Sequence, residues 1–141
     1  MIEKYRVSLE IAKQLKEAGF PQDCDAYWMS HKAEKANGIY DEHDSLLRSF
    51  DKKYWDRFAA PCVGRLGDEL PIAVDSRNIG LEVMTLKISK QCVMGEDCFD
   101  IFYESYDKQR IMAHNDCNAY HSEADIRAMM YIELRKKGLL P

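Results

Sequence analysis

Three potential metal ligands, His114, Cys117 and His121, lie within eight residues of one another. Imidazole nitrogen and thiolate sulfur are donors that zinc accepts in proteins, and a bound zinc ion can activate water for hydrolysis. Structural zinc sites usually combine two separated ligand pairs, and no C-x-x-C or H-x-x-x-H pair completes this one. The alternative is a polar surface loop with one half-buried thiol. Metal-dependent hydrolysis at this loop is therefore our second hypothesis, and the leading one needs no cofactor.

Two other groups of residues could contribute to chemistry. Cys92 and Cys98 flank a turn, and across a hairpin they could face each other and join His114 as further metal donors. Free cysteines also pack as small apolar side chains, and that alternative needs no ion. Residues 41–44 place one histidine among three carboxylates, a combination that general acid–base catalysis uses. No nucleophile or oxyanion donor lies near them in sequence, so a solvated loop explains them as well.

The common motifs for serine catalysis and for phosphate binding are absent from the sequence. The seven glycines are scattered and form no G-x-S-x-G, G-x-x-x-x-G-K-[ST] or G-x-G-x-x-G pattern. The five cysteines are an odd number without a secretory context, so we expect free thiols rather than a disulfide framework. These observations favour a protein that is not an enzyme.

Aromatic residues are concentrated in the first half of the chain, and we select four as candidate partner-binding residues: Tyr27, Trp28, Tyr54 and Trp55. Aromatic side chains anchor protein partners or stack on nucleic-acid bases. The neighbouring charges are mixed and the net charge is −4, so the sequence shows no basic face. We therefore predict a protein partner or a second copy of the chain, and no nucleic acid. Burial of the same aromatic residues in the core is the alternative.

The elements that must position these residues can be traced from two helix ends. A glycine, an apolar residue and a nearby proline close residues 15–21 and residues 134–141. Glycine readily adopts the left-handed conformation of a helix cap, and the apolar residue after it contacts a leucine five positions earlier. The pattern predicts an N-terminal helix over residues 7–18, capped by Ser8, and a C-terminal helix capped by Ser122.

Between these helices, the sequence predicts two short strands at residues 26–29 and 39–40, joined by a loop that turns at the Asn-Gly dipeptide 37–38. The helical spacing of apolar residues favours a helix over residues 44–58, with an irregular aromatic connection as the alternative. A shorter helix is predicted between the prolines at 61 and 71.

The second half of the chain carries the alternating pattern of strands. A strand is predicted over residues 79–92, where the alternation changes phase, and the change indicates either a bulge or a strand covered on both faces. Returning strands are predicted around 99–103 and 110–113. We therefore predict a single α+β domain over residues 1–141. It has an antiparallel sheet of three to five strands, with N-terminal, middle and C-terminal helices packed on it.

The C-terminal helix is apolar on more than one face, because eight of the eleven residues 124–134 are apolar. Such a helix is either central to the core or covered by another chain, and the second case predicts self-association into a homodimer. No apolar run is long enough to span a membrane, and residues 1–6 lack the apolar stretch of a signal peptide. We therefore expect a cytoplasmic protein without a membrane partner.

Three segments resemble the small proteins encoded in phage, prophage and mobile-element genomes of bacteria. They are residues 7–22, residues 59–71, and the helix that starts at Glu123 and ends in Gly-Leu-Leu. The resemblance implies an origin in a mobile element and supplies no catalytic residues. Our leading prediction is a non-enzymatic accessory protein of that origin, which acts through protein–protein contacts.

Overall fold

The computed structural model describes residues 5–33, 37–49, 51–75, 77, 80, 83–93, 96–112 and 122–140. In chain order, the elements in these ranges are α1 (Leu9–Glu17), β1 (Ala26–His31), β2 (Asn37–Asp41), α2 (Ser45–Ser49), β3 (Trp55–Ala59), α3 (Val63–Glu69), β4 (Ala73–Asp75), β5 (Val83–Val93), β6 (Glu96–Glu104), β7 (Arg110–Met112) and α4 (Glu123–Lys136). The strands form two antiparallel sheets with the orders β2-β1-β3 and β4-β5-β6-β7. The predicted α+β class is confirmed, with the strands divided between two sheets.

Both glycine-terminated helices end as the sequence predicts. Gly19 follows α1 with φ of 86°, and Gly138 follows α4 with φ of 69°. The Leu139 N–H donates to the Leu134 carbonyl at 2.9 Å, and after α1 the Phe20 N–H donates to the Leu15 carbonyl at 3.0 Å. These are the six-to-one hydrogen bonds of a Schellman cap, for which a residue without Cβ is preferred at the left-handed position.

One carboxylate links the first turns of α1 and α4. Ser122 caps α4 as predicted, because its Oγ accepts the Asp125 N–H at 3.1 Å. Ser8 makes no side-chain cap to α1, and its backbone N–H donates instead to Asp125 Oδ1 at 2.7 Å. Asp125 is only 8% exposed, so this bond between elements far apart in sequence is shielded from water.

The main core lies between α1, α3, α4 and the inner face of the β4–β7 sheet, where α4 contacts α1, α3 and β6. At its centre, Tyr103 is fully buried and its hydroxyl donates to the Pro71 carbonyl at 2.6 Å. Burial raises the pKa of Tyr103. Seven apolar residues of α4 are buried within this chain: Ala124, Ile126, Ala128, Met130, Tyr131, Ile132 and Leu134. Their burial means that the apolar composition of α4 is no longer an argument for a second chain covering it.

The predicted helix over residues 44–58 is wrong in its second half. Only α2 is helical, and β3 follows as a strand that pairs with β1 along its whole length. A turn separates them, because the Asp51 carboxylate accepts the Lys53 N–H at 2.9 Å and the Asp51 carbonyl accepts the next two N–H groups. Aspartate stabilises such turns, and the pairing with β1 overrides the helical spacing.

Two predicted boundaries of strands also differ from the structure. Asn37 and Gly38 are not a turn but the first residues of β2, because β1 extends to His31 and pairing reaches beyond the dipeptide. The strand predicted over residues 79–92 is β5, which begins only after a turn at Gly80. Gly80 has φ of 81°, a conformation that glycine adopts readily. The change of phase falls inside β5, where Val83 is 50% exposed and Met84 is buried, and the pairing of β5 with β4 and β6 continues without a bulge.

Glu104 is a buried carboxylate on the outer face of the β4–β7 sheet. Its side chain is 6% exposed, and it accepts hydrogen bonds from Arg110 Nε at 2.7 Å and from Lys108 Nζ at 3.4 Å. The Arg110 guanidinium lies over the Phe102 ring, 4.4 Å from its centroid. The hydrogen bond from Arg110, with that from Lys108, holds the pKa of Glu104 below its usual range.

We expect Glu104→Gln to be less stable than the wild type at neutral pH, with the difference shrinking in acid. A pKa lowered by folding contributes stability that is fully present above the unfolded value of about 4.3, and that is lost as the pH falls through the folded value. Urea midpoints of both proteins at about pH 7 and about pH 3 measure this contribution. An equal difference at the two pH values would contradict an ionic role for Glu104.

Candidate partner-binding surface

The predicted metal ligands His114, Cys117 and His121 lie outside the described residues, as do the side chains of Cys92 and Cys98. Among the described residues, no group of three or more His, Cys, Asp or Glu side chains is arranged to hold a metal ion. In the segment 41–44, the histidine side chain is 74% exposed and lies 3.5 Å from the Glu42 carboxylate. An exposed histidine fits the alternative that residues 41–44 form a solvated loop rather than a catalytic group.

Two of the four selected aromatic residues have their polar atoms bonded inside the chain. The Trp28 ring packs against the main core, and its Nε1 donates to the Val7 carbonyl at 2.8 Å. The Tyr27 hydroxyl donates to the Gln22 carbonyl at 2.8 Å and accepts the Cys24 N–H at 2.9 Å. Tyrosine and tryptophan bonded in this way anchor β1 to its surroundings.

The other two, Tyr54 and Trp55, surround His31 at the end of the β2-β1-β3 sheet. Trp55 lies opposite His31 in the pairing of β1 with β3, and their rings meet edge-on at 4.8 Å. The Tyr54 ring stacks on His31 with centroids 6.3 Å apart and planes 9° from parallel. Tyr54 is 48% exposed. We call these three residues the aromatic surface.

A cleft of about 340 Å³ lies beside the aromatic surface. Its lining combines four cations with one carboxylate and one aromatic ring: Lys16, Lys32, Lys52, Arg57, Asp56 and Trp55. We call it the basic cleft, because cations dominate it in a chain of net charge −4. Its cations come from α1, from the end of β1, from the turn before β3 and from β3. Four of the six lining residues lie between positions 52 and 57, and the fold adds Lys32 through the pairing of β1 with β3 and Lys16 from α1.

Two of the three lysines of the basic cleft donate to backbone carbonyls. Lys16 Nζ donates to the Arg57 carbonyl at 3.1 Å and lies 5.1 Å from the Phe58 ring centroid. Lys32 Nζ donates to the Lys52 carbonyl at 3.0 Å and lies 3.8 Å from the Asp56 carboxylate. A lysine ammonium has three donors, so an anion can be bound in addition to these acceptors.

A second groove, of about 500 Å³, has the opposite charge. Its lining contains four carboxylates, two thiols, one arginine and one tyrosine: Asp23, Asp25, Glu42, Asp68, Cys24, Cys62, Arg65 and Tyr27. Hydrogen bonds from Arg6 hold the pKa of Asp25 below its usual value. Burial raises the pKa of the Cys24 thiol, which makes this thiol a poor nucleophile at neutral pH. The groove therefore supplies no reactive thiolate at Cys24.

Comparison with protein-family models, with curated proteins and with solved structures finds no match to this chain. The origin in a phage or another mobile element therefore remains a prediction, and function has to be inferred from the chain's own residues. Within the described ranges, no helix combines the length and the apolar composition needed to cross a membrane.

Proposed function

We propose that this chain is a non-enzymatic accessory protein of phage or mobile-element origin that acts through protein–protein contacts at the aromatic surface and the basic cleft. The observation that carries the proposal is the placement of Tyr54, nearly half exposed and stacked on His31 beside a paired strand. Tyrosine and tryptophan dominate the binding energy of many interfaces. A ring already held in place loses little conformational entropy on binding.

The shape and charge of the basic cleft support a macromolecular partner over a small ligand. Sites for small molecules are usually apolar and enclose about 300–1,000 Å³. The basic cleft lies at the lower end of that range and is lined mainly by charged side chains. Charged groups at the rim of an interface steer the encounter with a partner of opposite charge.

Self-association remains part of the proposal, on a different basis from the apolar helix. Among the described residues, Ile72 and Ile88 are apolar side chains of the β4–β7 region that stay 83% and 46% exposed. Exposed apolar side chains are available to a second copy of the chain, although single ones are common on protein surfaces. The primary site of the proposal is the aromatic surface.

Changing Tyr54 and Trp55 together to serine should weaken partner binding by at least about tenfold, as expected for residues that anchor an interface. Fragments of bacterial proteins displayed as a library and selected against the immobilised wild type supply the binders. Dissociation constants of the selected fragments for wild type and variant then measure the effect. Urea unfolding of both proteins shows whether the variant has kept its fold.

Tyr106→Ser is the matched control, because Tyr106 is 94% exposed and lies in the turn before β7, on the other sheet. Selected fragments should bind this variant as tightly as the wild type. The proposal fails if the Tyr54 and Trp55 double variant keeps its affinity for the selected fragments, or if Tyr106→Ser lowers that affinity equally.

A further inference from the structure

The outer edge of β3 has no strand beside it within the described part of the chain. Between Tyr54 and Ala60, the even-numbered residues form the backbone hydrogen bonds with β1. The Lys32 N–H donates to the Tyr54 carbonyl at 2.8 Å, and the Ala60 N–H donates to the Ala26 carbonyl at 3.0 Å. Odd-numbered residues therefore direct their backbone N–H and C=O groups away from β1. Such an edge is a template for pairing with another chain.

Three backbone groups on this outer edge already have partners within the chain: the Trp55 N–H donates to the Asp51 carbonyl at 3.0 Å, and side chains bind the other two. Lys16 Nζ donates to the Arg57 carbonyl at 3.1 Å, and Gln22 Oε1 accepts the Ala59 N–H at 3.0 Å. A donor on the carbonyl and an acceptor on the N–H reproduce what the backbone of a neighbouring strand would supply. Lys16 is exposed, so the incoming backbone of another chain can replace it directly. Ala59 is 1% exposed, so its N–H becomes accessible only when the Gln22 side chain moves aside.

We propose that an extended acidic segment of a protein partner adds to β3 as a further strand, with its carboxylates in the basic cleft. This inference rests on the proposed function and specifies the class of partner. The incoming backbone takes the place of the Lys16 and Gln22 side chains at the edge. The released Lys16 ammonium then exchanges a neutral carbonyl for a carboxylate and gains the attraction between opposite charges.

Two other occupants fit this edge less well. A second copy paired β3 to β3 about a two-fold axis would bring two basic clefts together, and their like charges would repel. A single-stranded nucleic acid could use the cations and the aromatic surface. It has no peptide groups to pair with the edge, however, and Asp56 lies among the cations.

An NMR titration with an eight-residue peptide of alternating glutamate and valine tests the proposal. Glutamate and valine alternate in this peptide because every second side chain of a strand faces the same side, so all the glutamates can face the basic cleft. We expect saturable shifts of the backbone amide signals of Arg57 and Ala59, and smaller ones at Trp55, whose N–H is bonded to the Asp51 carbonyl. The affinity should exceed that of an alternating lysine–valine peptide by about tenfold or more, and should also exceed that of a fifteen-nucleotide oligo(dT).

Substitutions distinguish the contribution of the basic cleft to peptide binding from the contribution of the β3 edge. Reversing the charges with Lys16→Glu and Lys32→Glu should lower the affinity for the glutamate–valine peptide by at least about tenfold. Gln22→Ala should raise it, because one competitor for the edge is removed. Lys87→Glu is the matched control, since Lys87 is an exposed lysine on β5 in the other sheet, and it should leave the affinity unchanged.

The inference is overturned by an absence of saturable shifts at millimolar peptide, by equal binding of the two peptides, or by tighter binding of oligo(dT) at the same signals. Its failure is distinct from failure of the proposed function. Displayed fragments that need Tyr54 and Trp55 but are not acidic would overturn only the inference. If the glutamate–valine peptide binds at the β3 edge but the displayed fragments bind the Tyr54 and Trp55 double variant as tightly as the wild type, only the proposed function would be overturned.

Discussion

Replacing Leu134 by alanine should lower the free energy of unfolding by about 2–5 kcal/mol, the largest effect we expect from a single change. Leu134 is fully buried in α4 and belongs to the main core. Its truncation removes the transfer free energy of the lost methyl and methylene groups and leaves a cavity among residues that can relax only in part. Urea unfolding of wild type and variant measures the difference, provided that the unfolding free energy of both depends equally steeply on urea concentration.

Ile72→Ala is the matched control for Leu134→Ala, because Ile72 is an aliphatic residue that is 83% exposed. Its truncation should change the free energy of unfolding by no more than about 0.5 kcal/mol. Equal losses in the two variants would show that α4 is not packed as described. A loss for Leu134→Ala that varied with protein concentration would instead indicate that a second chain helps to cover this helix.

Asp125→Ala should cost about 1–3 kcal/mol of unfolding free energy, the second largest effect that we expect. The Asp125 carboxylate accepts the Ser8 N–H at 2.7 Å, and Ser8 makes no side-chain cap of its own. Alanine leaves that backbone donor at the start of α1 without its acceptor in a place that water reaches poorly. The substitution also removes a negative charge from the first turn of α4, where the helix dipole favours one.

Asp125→Asn separates the hydrogen bond from the charge. Asparagine keeps a side-chain oxygen that can accept the Ser8 N–H, so its cost should be smaller than that of alanine and should include the helix-dipole contribution of about 0.3–1 kcal/mol. Urea unfolding of Asp125→Asn and Asp125→Ala under identical conditions gives the comparison. If asparagine is as destabilising as alanine, the link between α1 and α4 depends on charge and not on the acceptor.

The parts of the fold that the sequence predicts well are those controlled by local chemistry. Gly19, Gly138 and Ser122 act within one helical turn, so their positions alone define where α1 and α4 end or begin. The strand β3 could not be predicted in this way, because its residues also have helical spacing. Its conformation depends on pairing with β1, a contact between segments more than twenty residues apart.

The candidate site was only partly predictable for the same reason. Tyr54 and Trp55 could be selected from the local concentration of aromatic residues, but sequence alone could not separate them from Trp28. Which ring faces the core depends on the side of the sheet that α1 covers. Two of the four cations of the basic cleft, Lys52 and Arg57, are close in sequence and have acidic neighbours, whereas Lys16 and Lys32 are distant from them. Only the folded chain gathers them.

The contact between Ser8 and Asp125 joins residues 117 positions apart. During synthesis, the apolar stripe of α1 cannot meet α4 until that whole intervening length has been translated. At about 5–20 residues per second, the delay is roughly 6–23 seconds, far longer than a helix needs to form. For that time the part of α1 that packs on α4 has no native partner there and can be shielded by chaperones. Synthesis by the ribosome therefore sets the earliest time at which this core can be completed.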